Sequence, residues 1–339
     1  MIAPTERPLV SVVMIAFNVE RYISQAIDSV LSQNAPFRVE LIVGEDGSTD
    51  STRAIVEAYA RRHRDIVRPV FRDRNLGMNR NFFATWAEAR GKYVALLDGD
   101  DYWTAPDKLQ TQVAYLERNP GCALCFHNVI VVYEDDTPAH PFHLQGPGPR
   151  LSTGIPAASS GVRELAGGNF IQTASVMYRG GLVTTLPAWV REMPTYDWPL
   201  HLLHAEQGSV DYCDRSLAAY RVHARGMWSS GLSYYRTTED VDSMIRAFTL
   251  VNAHLRGGYR AAMAAPLSFL LQQGMSVAAH NRDHEAAAGY AWSLLAHALR
   301  CHDLRGAATA MTASIKTRAA QVFREPRAAR SRRSTGQER

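Results

Sequence analysis

The stretch Tyr93-Val94-Ala95-Leu96-Leu97-Asp98-Gly99-Asp100-Asp101-Tyr102-Trp103 sets three carboxylates directly behind an apolar run. A short continuous apolar run ending in a polar turn reads as a strand buried on both faces. Three carboxylates within four residues repel one another unless a cation joins them, or they serve as an acidic turn that caps a helix. Hard oxygen donors of this kind suit Mg2+ or Mn2+ bridging to a phosphate. The single-residue spacer lets Asp98 and Asp100 approach one ion from a bent backbone.

The same alternation extends to both sides. Val10–Ala16, Val39–Val43, Ile66–Phe71 and Cys122–Val132 are further strand candidates. Between them, Tyr22, Ile23, Ala26, Ile27, Val30 and Leu31 recur at helical spacing. Ser48, Thr49 and Asp50 offer N-caps for a helix to about His63. Gly77–Ala89 predicts a helix with Phe82, Phe83 and Trp86 on one side, and Asp107–Arg118 predicts another, closed by Asn119-Pro120-Gly121. Strands alternating with helices imply a parallel sheet covered on both faces. Ligands of such sheets bind outside the carboxyl ends of the strands. Polar clusters fall at three of those ends: Asn18, Glu45-Asp46-Gly47-Ser48 and Asp98-Gly99-Asp100-Asp101. A helix cap explains one such cluster more easily than three at equivalent places, which favours the metal reading.

Downstream, residues 136–168 are rich in Pro, Gly, Ser and Ala and predict a loop over the sheet. Phe170–Tyr178 predicts a strand, Asp197–Gln207 a helix and Ser216–Val222 a strand. From about Ser233 the pattern is helical only, beginning with the stripe Val241, Met244, Ile245, Phe248, Val251 and Leu255. Helices are expected over 261–280, 285–302 and 305–323. The expected organisation is an α/β domain over 1–230, a helical region over 231–323 and a basic tail over 324–339.

The chain has 339 residues, 46% hydrophobic and 21% charged, enough for a large core. No apolar run approaches the ~18 residues of a membrane span. Leu9–Phe17 is apolar but short, with only Arg7 before it, and reads as a strand rather than a signal peptide. The net charge of +4 invites a nucleic-acid reading. Yet residues 324–339 hold six arginines and two glutamates, which account for the whole excess. Basic character therefore belongs to the tail and not to the body, and no nucleic-acid partner is expected. Cys122 and Cys125 form a lone C-x-x-C inside an apolar run, which favours core thiols over a metal or redox site.

Residues 8–225 resemble a family 2 glycosyltransferase with the GT-A fold. Four stretches carry the likeness: Val10-Ser11-Val12-Val13-Met14-Ile15-Ala16-Phe17-Asn18, Val43-Gly44-Glu45-Asp46-Gly47-Ser48-Thr49-Asp50, Asn75-Leu76-Gly77 with Arg80-Asn81, and the D-x-D element Asp98-Gly99-Asp100. Each motif is weak alone, and their order and spacing together are specific. The resemblance implies a Rossmann-like, mostly parallel central sheet flanked by helices, followed here by a C-terminal helical region. It implies that Asp46 contacts the base or ribose of a nucleotide sugar, with Glu45 in support and Ala16 and Asn18 in the same pocket. Asn75 and Gly77 lie along the donor, and Arg80 meets phosphate. Asp98 and Gly99 border the ribose or the metal, and Asp100 is the principal metal ligand. Ala16 departs from the threonine common in the family, and Gly44-Glu45 from its acidic pair.

Two later segments extend the likeness. Thr195-Tyr196-Asp197-Trp198-Pro199-Leu200 resembles the family's E-D segment with Tyr196 in place of the acid, which makes Asp197 the general base; a helix N-cap is the plainer role for Asp197. Tyr220-Arg221-Val222-His223 resembles a closing Y-R-x-H segment, which makes His223 a metal or diphosphate contact rather than a surface histidine. Trp103, Trp198 and Trp228 are candidates for walls of the sugar and acceptor sites, or for packing. The implied reaction is inverting transfer from a nucleoside-diphosphate sugar, by family default a UDP-sugar, with a divalent cation, Mg2+ or Mn2+. The acceptor hydroxyl belongs to a saccharide, a lipid-linked saccharide or a small metabolite, and the work is cytoplasmic or peripheral at the inner face of the membrane. A solvated end is the plainer account of the Arg-rich tail, with anionic lipid as an alternative partner. Two competing functions are a sugar nucleotidyltransferase, disfavoured by the glycine-free Ala16-Phe17-Asn18-Val19-Glu20 loop, and a non-catalytic sugar-binding module.

Overall fold

The computed structural model describes residues 7–134, 138–141, 158–224, 226, 235, 237–301 and 312. The chain divides into two compact units, 1–232 and 233–339.

In the first unit the alternating elements form as their apolar patterns require. They run β1 (Val10–Ala16), α1 (Ile23–Leu31), β2 (Val39–Glu45), α2 (Thr52–Arg62), β3 (Val67–Phe71), α3 (Met78–Trp86) and β4 (Tyr93–Asp98). Then follow β5 (Tyr102–Trp103), α4 (Lys108–Arg118), β6 (Cys122–Tyr133), β7 (His140–Pro141), β8 (Ser159–Ser160), α5 (Val162–Ala166), β9 (Met177–Arg179), α6 (Asp197–Ala205) and β10 (Ser209–Val222). The sheet order is β3-β2-β1-β4-β9-β6-β10-β5, with β7 added to β6 and β8 to β10. Pairing is parallel from β3 through β4 and between β6 and β10. It is antiparallel where β9 lies between β4 and β6, and where β5 joins β10.

The order reverses at β1, where α1 leads out to β2 while β4 lies on the other side, the place where open α/β sheets form a crevice. Register brings the strand ends level there: Ala16 pairs with Glu45, and Ile15 with Asp98. The core of β1, β2 and β4 is nearly dry, with Val10, Val12, Met14, Leu41, Val43, Tyr93 and Ala95 all fully buried. Cys122 and Cys125 are free thiols buried in the same core, as their apolar setting predicts.

Three expectations are corrected. Phe170–Tyr178 is not one strand: a 3-10 turn at Thr173–Ser175, capped by the Gln172 side chain on Ala174 N–H at 2.7 Å, precedes the short β9. The α2 helix starts at Thr52, with Ser51 rather than residues 48–50 at its N-cap. Trp103 and Trp198 pack in the core instead of walling a site: each is under 5% exposed, and each indole N–H donates to a backbone carbonyl, of Ala174 at 3.0 Å and of Leu165 at 2.8 Å. Trp228, the expected helix 305–323 apart from residue 312, the tail 324–339 and much of the expected loop 136–168 lie outside the described residues.

The second unit holds α7 (Thr238–His254), α8 (Arg260–His280) and α9 (His284–Arg300). A capping box of Thr237 and Asp240 opens α7. Gly274 lets α8 approach the Tyr290 ring of α9, since a Cβ there would lie 2.5 Å from it. The Tyr290 hydroxyl donates to Asp242 Oδ1 of α7 at 2.7 Å. Among the described residues no helix is long and apolar enough to cross a membrane.

Candidate active site

The site is built from the carboxyl ends of β1, β2 and β4 and the turns that follow. Glu45 ends β2 fully buried; Oε1 accepts from Ser48 N–H at 2.6 Å, while Oε2 has no hydrogen-bond partner and lies 3.9 Å from Arg53. Asp46 accepts from Leu76 N–H at 2.9 Å and from Gly77 N–H at 3.0 Å, one bond to each oxygen. Asp46 thus fixes the Asn75–Gly77 segment against the sheet. Gly77 has φ +85°, which favours glycine, and Asn75 Oδ1 shares its N–H at 2.7 Å. Asn18, with φ +52°, accepts from Thr49 N–H at 2.8 Å and donates its own N–H to Ser48 Oγ at 3.0 Å. Arg80 stands exposed in α3 and forms no hydrogen bond or ion pair with this network among the described residues.

The acidic turn gives each carboxylate a different setting. Asp98 accepts from the Tyr196 hydroxyl at 2.5 Å, and burial, with Asp100 beside it, holds its carboxyl well above the ordinary range. Gly99 sits tight on β1: its N–H donates to Ile15 O at 3.0 Å, and a Cβ would meet that oxygen at 3.0 Å. Asp101 is buried and accepts from Arg221 N–H at 2.9 Å, so it ties the turn to β10. Asp100 keeps a 28% exposed side chain, with His223 Nε2 3.1 Å from Oδ2.

One carboxylate oxygen and one imidazole nitrogen, side by side and open on one side, fit the partial ligand set of a divalent cation that keeps phosphate and water ligands. Among the described residues no three His, Cys, Asp or Glu side chains converge as a metal cluster. A cavity of about 170 Å³ opens beside His223 and Asn18, lined also by Arg21, Tyr22 and Glu134.

Asp197 is the first residue of α6 and is not its N-cap, which is Tyr196. Its Oδ2 accepts from Asn169 Nδ2 at 2.8 Å and its Oδ1 from Trp198 N–H at 2.7 Å. Burial nevertheless raises its proton affinity above that of an ordinary carboxylate. Tyr196 stacks on Phe82, centroids 3.9 Å apart, and its bond to Asp98 ties the start of α6 to the acidic turn. The structure therefore joins Asn18, Glu45, Asp46, Asn75 and Gly77 in one network, and Asp98, Asp100, His223 and Asp197 in another. Sequence reasoning missed Asn169, Gln172, Tyr22, Glu134 and Arg221 as members. Arg221 stood inside a quoted motif; the others carried no local signal.

An open, mostly parallel α/β sheet places its ligand crevice at the carboxyl ends of its strands, where the acidic turns lie. Residues 11–177, just under half of the chain, match the model of the glycosyl transferase family 2. Uncharacterised proteins of Mycobacterium tuberculosis and Mycobacterium bovis are 42% identical over 221 residues, 65% of this chain and 60% of theirs. The chain thus spans about 60% of the length of these relatives. A Bacillus subtilis protein, TuaG, whose name assigns it to teichuronic acid biosynthesis, is 36% identical over 136 residues, 40% of this chain and 52% of that protein. Among solved structures, S. aureus TarS in complex with UDP-GlcNAc superposes with a TM-score of 0.60 at 19% identity, covering 92% of each chain. The Pyrobaculum calidifontis mannosyltransferase PcManGT, with GDP-Man and Mn2+, gives 0.50 at 18% identity, covering 95% of this chain and 83% of that one. At these identities the structural likeness is one of fold.

Proposed function

We propose that this protein is a metal-dependent, inverting glycosyltransferase that moves a sugar from a nucleoside-diphosphate sugar to an acceptor hydroxyl. The observation that carries the reading is the register at the sheet crevice. It sets Ala16 beside Glu45 and Asp98 one residue back, beside Ile15, and Tyr196 then links Asp98 to the segment bearing Asp197. Neighbours of the same fold hold UDP-GlcNAc in one case and GDP-Man with Mn2+ in the other, which supports a nucleotide-sugar donor and a divalent cation. A UDP-sugar remains the family's default donor. The acceptor is a saccharide, lipid-linked saccharide or small-molecule hydroxyl, and the TuaG relative favours cell-envelope polysaccharide.

In this reading the Asp46 network and Asn18 shape the nucleotide pocket. Asp100 and His223 are the residues that would hold Mg2+ or Mn2+. When bound there, the cation neutralises charge developing on the departing diphosphate. Asp197 takes the acceptor hydroxyl proton on a carboxylate oxygen, and burial raises its proton affinity above that of an ordinary carboxylate. Asn169 keeps that carboxylate aimed. The freed hydroxyl oxygen bonds to the anomeric carbon as the bond to diphosphate breaks on the opposite face, so the anomeric configuration inverts.

Two variants test these roles. Asp100→Ala loses metal-dependent donor binding. Asp197→Asn keeps donor binding and loses transfer by about 10²–10⁴-fold, the span of general-base contributions. Full activity in either variant overturns its role, and a product of retained configuration overturns the single displacement.

A further inference from the structure

We propose that Arg221 is a positioning residue for the acidic turn, and that its guanidinium fork, beyond its charge, fixes where Asp100 presents its carboxylate. The inference rests on the metal reading of that turn given above.

Arg221 stands next to last in β10. Its Nε donates to the Asp100 carbonyl oxygen at 2.9 Å, and its Nη2 donates to Gln25 Oε1 of α1 at 2.6 Å. The guanidinium carbon lies 4.9 Å from the Tyr22 ring centroid and 5.2 Å from that of Tyr102. A planar cation held by two acceptors and two aromatic faces has little freedom to move. Lysine would keep the charge, but it lacks a flat fork that spans both acceptors.

Within the turn the side chain hydrogen-bonds Asp100 alone. The bond to Asp101 Oδ1 comes from the Arg221 backbone N–H and survives any side-chain change. Asp100 is thereby gripped twice from one strand end: its peptide by Arg221 and its carboxylate by His223, two residues further on. The guanidinium also brings positive charge to a turn with three carboxylates, which reduces their mutual repulsion before any cation binds. Outer groups that orient a metal ligand are worth about 10–100-fold in metal affinity.

The test is titration of Mn2+ alone into the full chain, with free Mn2+ read by electron paramagnetic resonance. Arg221→Met and Arg221→Lys should each weaken binding by roughly 10-fold, with thermal unfolding in EDTA close to the parent. Parental Mn2+ affinity in both variants overturns the proposal. If Arg221→Met does not fold, parental affinity in Arg221→Lys alone overturns the role of the fork. Asp100→Ala separates the two levels of the argument. If it abolishes Mn2+ binding while the Arg221 variants match the parent, the metal reading stands and this inference fails. If Asp100→Ala binds Mn2+ as the parent does, the metal reading fails and takes this inference with it.

Discussion

Asp98, Asp100 and Asp101 are chemically identical and structurally distinct. Asp101 is spent on Arg221 N–H and on Gln172, 3.4 Å away, Asp98 on the Tyr196 hydroxyl, and Asp100 faces outward beside His223. Spacing alone could not divide these roles, because each depends on a partner at least 71 residues away in the chain. Tyr196 offers a sharp test at this scale. Where the family has an acid, a phenol adds no charge to a site already holding four carboxylates, Asp98, Asp100, Asp101 and Asp197, and it donates a hydrogen bond instead. Tyr196→Phe keeps the stack on Phe82 and removes that donor. The net worth of an ordinary hydrogen bond is about 0.5–1.5 kcal/mol. Steady-state assay of the variant should show turnover reduced several-fold, with unfolding temperature nearly unchanged. Parental turnover would show that the tie to Asp98 is idle.

At the scale of the element, two packing features set stability. Gly44 of β2 lies under α3, and a Cβ there would come 2.0 Å from Thr85 Oγ1. A side chain at residue 44 therefore requires Thr85 of α3 to move. Gly44→Ala should destabilise by about 1–3 kcal/mol, the usual cost of overpacking, and adding Thr85→Ala should restore part of it in denaturant melts. Lys108 of α4 is fully buried, its Nζ 4.0 Å from the Trp103 ring centroid and without a hydrogen-bond partner. Burial lowers its ammonium from 10.5 to about 7. Between those values the unfolded chain binds the extra proton, so this group makes stability rise with pH from about 7 to 10.5. Lys108→Met should flatten that slope and stabilise the protein at pH 7 by about 1–3 kcal/mol, the cost of an uncompensated buried polar group. An unchanged slope would contradict the buried ammonium.

The elements from β1 to β6 were legible, the two-residue β5 aside, because the strands carry apolar runs and the helices their own stripes, whereas β7, β8 and α5 fall in the segment 136–168 read as a loop. The convergence of Asn18, Glu45-Asp46 and Asp98–Asp101 was legible for the same reason, since parallel strands put like ends together. The antiparallel β9 was not. It spans three residues, and its neighbours Gln172 and Asn169 turn the chain through side-chain bonds that leave no period in the sequence. Trp103 and Trp198 misled because a tryptophan beside an acidic turn has the same local context whether it lines a site or fills the core.

For the whole molecule, the distribution of charge matches the proposed work. The excess of +4 resides in residues 324–339, while the crevice of the sheet is acidic, with Asp100 partly exposed beside His223. At the opposite end of the sheet the buried Glu40 is already matched, by Arg68 at 2.6 Å and Arg90 at 2.9 Å, so that end makes no comparable demand. The most direct measurement is a screen of nucleoside-diphosphate sugars with Mn2+, Mg2+ or EDTA, following release of the nucleoside diphosphate by slow hydrolysis, which requires no acceptor. The account predicts release from at least one donor, present with the cation, absent with EDTA and absent in Asp100→Ala. Release that persists undiminished in EDTA, or donors that bind and are never cleaved with any acceptor, would contradict it.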